Sequence, residues 1–261
     1  MEPLRHQTVT RYVTPLREGG SLPAVAEADD GFSYVLKFRG AGHGPKALVA
    51  ELIGGEVARA LGFRVPELVL LDVGEEFGRT EPDEEIQDLL KASRGLNLGM
   101  HFLSGAFTAD PYVNGIDATV ASRIVWLDAF LTNVDRTALN TNMLMWNREL
   151  WLIDHGASLY FHHSWRNVEE AALTPFPFIR DHALLPKASG IAEADRWMRQ
   201  HITPRTLEKI IDLVPEDWLD YGMEGITAAD VRQQYKRFLT ERLKHSSNFV
   251  NEAIDARRRL I

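Results

Sequence analysis

Apolar and polar positions follow two different periods along this chain. Over residues 8–16 and 22–28, Val, Thr, Tyr and Ala alternate roughly with polar residues, at the two-residue period of a half-buried strand. Glu18-Gly19-Gly20-Ser21 between them is a turn signal. Asp29-Asp30-Gly31 predicts a tight turn into a third strand over 32–38. In that strand Phe32, Tyr34, Leu36 and Phe38 share one face and Ser33, Val35 and Lys37 the other, so Lys37 points away from the aromatic face. After a glycine-rich loop, GAGHGPK at 40–46, the period changes. Leu48, Val49, Leu52, Ile53, Val57 and Leu61 recur at helical spacing over 47–62, with Gly62 as the stop. Residues 66–73 predict a buried strand, 74–99 a surface loop with a short helix, and 100–103 a short strand.

Beyond Pro111 the helical period dominates. A helix is expected over 117–132 with Asp117 as its N-cap. Two short strands, 143–146 and 150–154, are followed by helices at about 190–201, 203–213 and 227–257. The expected fold class is therefore α+β, with a strand-rich part over 1–104 and a helix-rich part over 105–261. A cleft between two such parts is a usual place for a ligand.

Composition narrows the chemistry. Apolar residues make up 45% and charged residues 25%, and there is no cysteine, which excludes disulfides, a thiol nucleophile and cysteine-ligated zinc or iron–sulfur sites. With 29 Lys and Arg against 37 Asp and Glu the formal charge is −8, so no direct nucleic-acid binding is expected. Arg123 and Asp128 interrupt the apolar run at 118–131, so no membrane insertion is expected. The first eighteen residues lack the apolar core of a secretory signal, and the expected location is cytoplasmic.

Candidate chemistry concentrates in 131–159, LTNVDRTALNTNMLMWNRELWLIDHGASL. If the two strands pair as a hairpin about Arg148, Leu144 faces Leu152, Trp146 faces Leu150 and Asn142 faces Asp154. Asn140, Asn142 and Asp154 then converge just below Asp135. A carboxylate beside a carboxamide oxygen suits Mg²⁺, which takes its remaining oxygens from water and substrate phosphates. A second carboxylate on the preceding loop can orient a hydroxyl and accept its proton. Taken alone, Asp135 and Asn140 are equally consistent with turn capping, Asn142 with a hairpin cap or with orienting Asp154, and Arg136 with bracing a neighbouring loop. Adjacent His162 and His163 point apart, which argues against a zinc site, as does the lack of a His-Glu-x-x-His pair. Ala47 after Lys46 breaks the phosphate-loop pattern at 40–46.

The ordered set D-x-x-x-x-N at 135–140 and Asp154-His155-Gly156 resembles the catalytic and metal-binding segments of the protein-kinase-like superfamily. NVDRTALN and IDHG are similar to two of its branches, the HipA-like serine/threonine kinases and the phosphatidylinositol 3- and 4-kinases. GGSLPAVAEADDGFSYVLKF and AELIGGEVARALGFRVPEL favour the HipA-like branch, and the resemblance covers roughly 8–160. It implies a two-lobed kinase fold that moves the γ-phosphoryl group of ATP to a hydroxyl, with a protein Ser or Thr as acceptor and Mg²⁺ as cofactor. By resemblance, Asp135 is the catalytic base, Asn140 and Asp154 hold Mg²⁺, and Lys37 binds ATP phosphates. Glu51 is the expected partner of Lys37. Its rival Glu56 lies five residues on, turned about 140° away on a helix of 3.6 residues per turn. Met100, His101, Phe102 and Leu103 are the expected hinge for adenine, and Ser21 a phosphate-loop residue and possible autophosphorylation site. A lipid or small-molecule kinase, a nucleotidyl transferase and a non-catalytic ATP-binding scaffold are the alternatives on the same scaffold.

Overall fold

The computed structural model describes residues 2–16, 23–42, 44–75, 83–165 and 167–260. Ser21 lies outside them. Five strands form a closed barrel: β1 (His6–Pro15), β2 (Ala24–Ala28), β3 (Ser33–Lys37), β4 (Leu68–Val73) and β5 (Gly95–His101), in the order β1-β2-β3-β5-β4. Neighbours are antiparallel except at the closure, where β1 runs parallel to β4 through His6↔Leu70 and Thr8↔Asp72. Two register irregularities in β1, at Val9/Arg11 and Tyr12/Thr14, add the local twist that closure requires.

Tyr34, Leu36 and Phe38 are buried as their alternation predicts, with Val69 and Leu71 beside them. Phe32 is not: β3 starts after it, and its ring stands against His101 with 52% exposure. The strand expected at 100–103 is longer and earlier, because β5 begins at Gly95. Asn97 masks it in the sequence. Its side chain is fully buried, yet its amide donates to the Ser93 and Gly95 carbonyls at 2.7 Å and its oxygen accepts the Arg39 N–H at 2.8 Å. A buried amide with its hydrogen bonds made can sit inside a strand.

Helix α1 (Pro45–Ala60) is buried from Leu48 through Ala58, charged positions included. A helix buried on every face is packed from every side. After α2 (Glu84–Ala92) come β6 (Phe107–Thr108), α3 (Ala118–Leu131), β7 (Met143–Trp146) and β8 (Glu149–Leu152), the strands forming a separate sheet ordered β6-β7-β8. Asp117 caps α3 by accepting the N–H groups of Thr119 and Val120 at 2.7 and 2.8 Å, a device worth about 1 kcal/mol. Four short 3₁₀ turns and α4 (Val168–Leu173), α5 (Ile191–His201), α6 (Pro204–Ile211), α7 (Ala228–Lys244) and α8 (Ser247–Arg258) complete the described fold. The helix expected over 227–257 is two helices, separated at His245-Ser246. The buried stripe runs on through fully buried Ser246 at helical spacing, so periodicity carries no sign of the break.

One apolar cluster fills the barrel, and a larger one joins α1 to α3, the hairpin and the C-terminal helices. Backbone contacts tie the parts together. Leu152 N–H donates to Arg64 O at 2.9 Å just after α1, and the buried Trp218 indole donates to Leu96 O of β5 at 3.0 Å. No helix among the described residues is long and apolar enough to cross a membrane.

Candidate active site

Three chain segments meet at Lys37. Its ammonium, on the last residue of β3, lies 2.6 Å from Glu51 Oε2 on α1 and 2.6 Å from Asp154 Oδ1 beyond β8. Two adjacent glycines let α1 reach this position. A Cβ on Gly54 would sit 2.6 Å from His155 Cβ, and one on Gly55 would sit 2.9 Å from Leu68 Cδ1 of β4. Gly156 serves the same approach from the other strand end, where a Cβ would stand 3.3 Å from Glu51 Oε2. Glu56 turns elsewhere and pairs with Arg59 at 3.2 Å.

A second group forms just after α3. Thr132 ends the helix in the left-handed conformation (φ 56°), and the chain turns through Asn133, whose side-chain oxygen accepts the Asp135 N–H at 3.1 Å. Asp135 Oδ2 accepts two amide donors, Asn140 Nδ2 at 2.8 Å and Asn142 Nδ2 at 3.0 Å.

The hairpin that carries Asp154 differs from expectation by one register step. Met143 pairs with Leu152, Leu144 with Trp151 and Trp146 with Glu149. The turn is the two residues Asn147-Arg148, both at positive φ (49° and 65°), as a tight hairpin requires. Centring on Arg148 alone counted one residue too many. Asn142 consequently does not stand opposite Asp154. Its carbonyl accepts the Ile153 N–H at 3.1 Å, and its side chain turns to Asp135.

A family model of HipA-like kinases matches residues 9–249. The chain belongs to the HipA-like kinase family. Among solved structures, this HipA-like kinase is similar over 99% of its length to a Helicobacter pylori proinflammatory kinase, CtkA, covering 100% of that chain at 14% identity and a TM-score of 0.59. The likeness is one of fold. The Golgi casein kinase with Mn/ADP bound aligns more loosely, at 14% identity and a TM-score of 0.49 over 98% of this chain and 74% of that one. No curated protein sequence matches significantly.

The electrostatics of the HipA-like kinase are set by crowding of opposite charges. Burial disfavours the Lys37 ammonium, but Asp154 and Glu51 outweigh it and hold its pKa above the usual lysine value. Burial dominates at Glu51 and raises its carboxyl, against the pull of Lys37. Lys37 dominates at Asp154 and lowers it, against burial. Asp154 keeps 44% side-chain exposure, so it is the most solvent-exposed member of the cluster.

His155 behaves differently from a solvent-facing histidine. It is fully buried and neither ring nitrogen has a hydrogen-bond partner, and burial, then the nearby Arg136 charge, push its pKa down to about 3. It is a neutral packing ring against Gly54 of α1.

A buried network lies beneath the loop, in which Arg136 is the brace the sequence suggests and Asp128 and His182 are partners it does not. Asp128 of α3 accepts Arg136 Nε at 2.6 Å, His182 Nε2 at 2.9 Å and Asn133 Nδ2 at 2.9 Å, all at negligible exposure. Leu184 N–H donates to His182 Nδ1 at 3.0 Å, which fixes the tautomer with the proton on Nε2 and leaves the ring neutral. Burial would raise the Asp128 carboxyl, but Arg136 and His182 outweigh it and hold it well below the usual carboxylate range. Arg136 also donates to Asn142 O, and at 3.5 Å to Ile153 O, so it grips both ends of the hairpin that flank the candidate residues. The sequence marks Asp128 only as an acid inside an apolar helix.

The four hinge candidates sit where β5 leaves the barrel. Met100 and Leu103 are buried, and His101 and Phe102 donate their N–H groups to Glu67 O and Ser33 O. Two cavities on the helical body, of about 460 and 250 Å³, are lined by none of Lys37, Glu51, Asp135, Asn140 or Asp154.

Proposed function

We propose that the chain is an ATP- and Mg²⁺-dependent phosphotransferase with a two-lobed arrangement, the barrel and α1 above and the helical body below, and that its acceptor is a protein Ser or Thr. The observation that carries the reading is Lys37 held between Glu51 and Asp154 at 2.6 Å. One buried acid fixes the lysine and the other remains half exposed beside it. That arrangement offers a fixed cation to phosphate oxygens and a carboxylate oxygen to a metal.

The donor set suits magnesium. Lys37 engages Asp154 Oδ1, and Asn140 directs its NH₂ to Asp135, which turns its carbonyl oxygen the other way. Hard oxygen donors, few in number, are what a magnesium ion shared with phosphates takes from a protein. When bound there, the ion neutralises charge on the phosphates and holds them in line. Asp135 orients the acceptor hydroxyl and takes its proton as the oxygen bonds to the γ-phosphorus and the bond to ADP breaks. Lys37 draws the phosphate charge toward α1. The N–H groups of His101 and Phe102 are already engaged in the barrel and the Leu103 carbonyl accepts the Ala106 N–H at 3.1 Å, so of the proposed hinge groups an adenine edge would be met by the Leu103 N–H.

Incubation with γ-³²P-labelled ATP and Mg²⁺, with casein and the chain itself as acceptors, tests the proposal. Label on Ser or Thr is expected with the native protein and not with Asp135→Asn or Asp154→Asn. No label with the native protein, or equal label with all three, overturns it. Mass spectrometry of the product separates phosphate from AMP transfer.

A further inference from the structure

We infer that Asn142 is a positioning residue for Asp135, a role that rests on the proposed phosphotransfer. Asn142 has 8% exposure, and its backbone is clamped on the carbonyl side by Arg136 and by the Ile153 N–H. From that fixed point its Nδ2 donates to Asp135 Oδ2 at 3.0 Å, and at 3.5 Å to the Asp135 carbonyl. Asn140 Nδ2 donates to the same Oδ2 at 2.8 Å. Two amides on one oxygen set the rotation of the carboxylate and aim the other oxygen, Oδ1, at the acceptor hydroxyl. Of the two amides, the one on Asn140 is solvent-exposed and belongs to a residue with a second duty toward the metal. The buried Asn142 is the permanent partner.

The backbone supplies a way to separate this role from a structural one. Asn142 adopts φ 48°, in the left-handed region that Gly enters freely and that Asp also tolerates. Asn142→Gly therefore keeps the turn and removes the amide. Asn142→Asp keeps the shape and places a carboxylate against Asp135 Oδ2. A requirement for the turn alone predicts near-native turnover in both variants, whereas a positioning role predicts that both fail.

The test uses the full chain, casein, MgATP and label transfer, with kcat and the KM for ATP measured for the native protein and both variants, and folding followed by thermal melting. The expected result is a fall in kcat of about 10²-fold in each folded variant, the scale for a misplaced reacting group, with KM for ATP within about twofold of native. Near-native kcat in Asn142→Gly overturns the inference. So does a parallel loss of ATP affinity, which would make Asn142 a nucleotide or metal contact, and so does failure of both variants to fold, which would make its role structural. A native protein without turnover defeats the phosphotransfer reading itself, and this inference with it.

Discussion

Two ion clusters lie within a few residues of each other and are built on opposite plans. Around Asp128, one carboxylate meets one guanidinium and a neutral imidazole, all sealed from solvent, and the formal charge is zero. Around Lys37, one ammonium meets two carboxylates, one of them half exposed, and the formal charge is −1. A balanced, sealed cluster has no net charge to offer a ligand and serves to fix geometry, since an unpaired charge there is costly. A cluster with surplus negative charge and an open side favours a further cation. The same ingredients thus make a brace in one place and, in the proposed function, a receptor in the other, and charge balance with exposure tells them apart.

The largest effect expected from this contrast is on turnover. Lys37→Met and Asp154→Asn should each lower phosphoryl transfer by about 10³-fold or more. The melting temperature should stay close to native in Asp154→Asn, whose side chain is half exposed, and fall in Lys37→Met, which leaves Glu51 buried without its cation. Initial rates beside melting curves check this, and a collapse of the fold in Asp154→Asn would make the open side of the cluster a brace as well. Next, Arg136→Met should cost about 3–5 kcal/mol of stability by leaving Asp128 buried without its cation. Urea unfolding measures it, and a loss below about 1 kcal/mol would contradict the sealed plan.

Smaller effects probe the contact that joins α1 to the site. Gly54→Ala forces a backbone-borne Cβ to within 2.6 Å of His155 Cβ, so it should destabilise by about 1–3 kcal/mol despite the better helix propensity of Ala. Gly55→Ala, which meets the flexible tip of Leu68, should cost less in the same unfolding assay. Near neutral pH the smallest effect is acid sensitivity, which grows as the pH falls. His155 folded titrates at about 3 and unfolded near 6.5, so the unfolded chain binds the proton first. Stability from this group is full above about pH 6.5 and falls as pH drops toward 3, at about 1.4 kcal/mol per pH unit. His155→Phe should flatten that part of a stability-against-pH curve.

Local rules exposed much of this arrangement in the sequence. Alternation in β3 put Lys37 on the face away from Tyr34 and Leu36, and the angular step along α1 separated Glu51 from Glu56. Asp117 was legible as a cap because its role depends on the next three residues only. What stayed hidden depends on backbone torsions or on distant partners. The register of β7 and β8 turns on positive φ at Asn147 and Arg148, which neither residue advertises as Gly would. Asn97 reads as a loop residue until its three buried hydrogen bonds are seen. Asp128 reads as an interruption of an apolar run, and its partner His182 is 54 residues away. Asn142 was legible as a neighbour of Asp135, but the expected register also set it opposite Asp154, and only the true register leaves its amide for Asp135 alone.

The parallel pairing of β1 with β4 has a consequence for how a protein acceptor is met. Where β1 pairs with β4, at His6–Thr8 and Leu70–Asp72, the main-chain groups are already used and an incoming peptide cannot add there as a further strand; beyond Thr8 the ladder to β4 ends and β1 runs on along β2. If the acceptor is a protein, as proposed, its selection along that stretch rests on side chains and loops rather than on main-chain pairing.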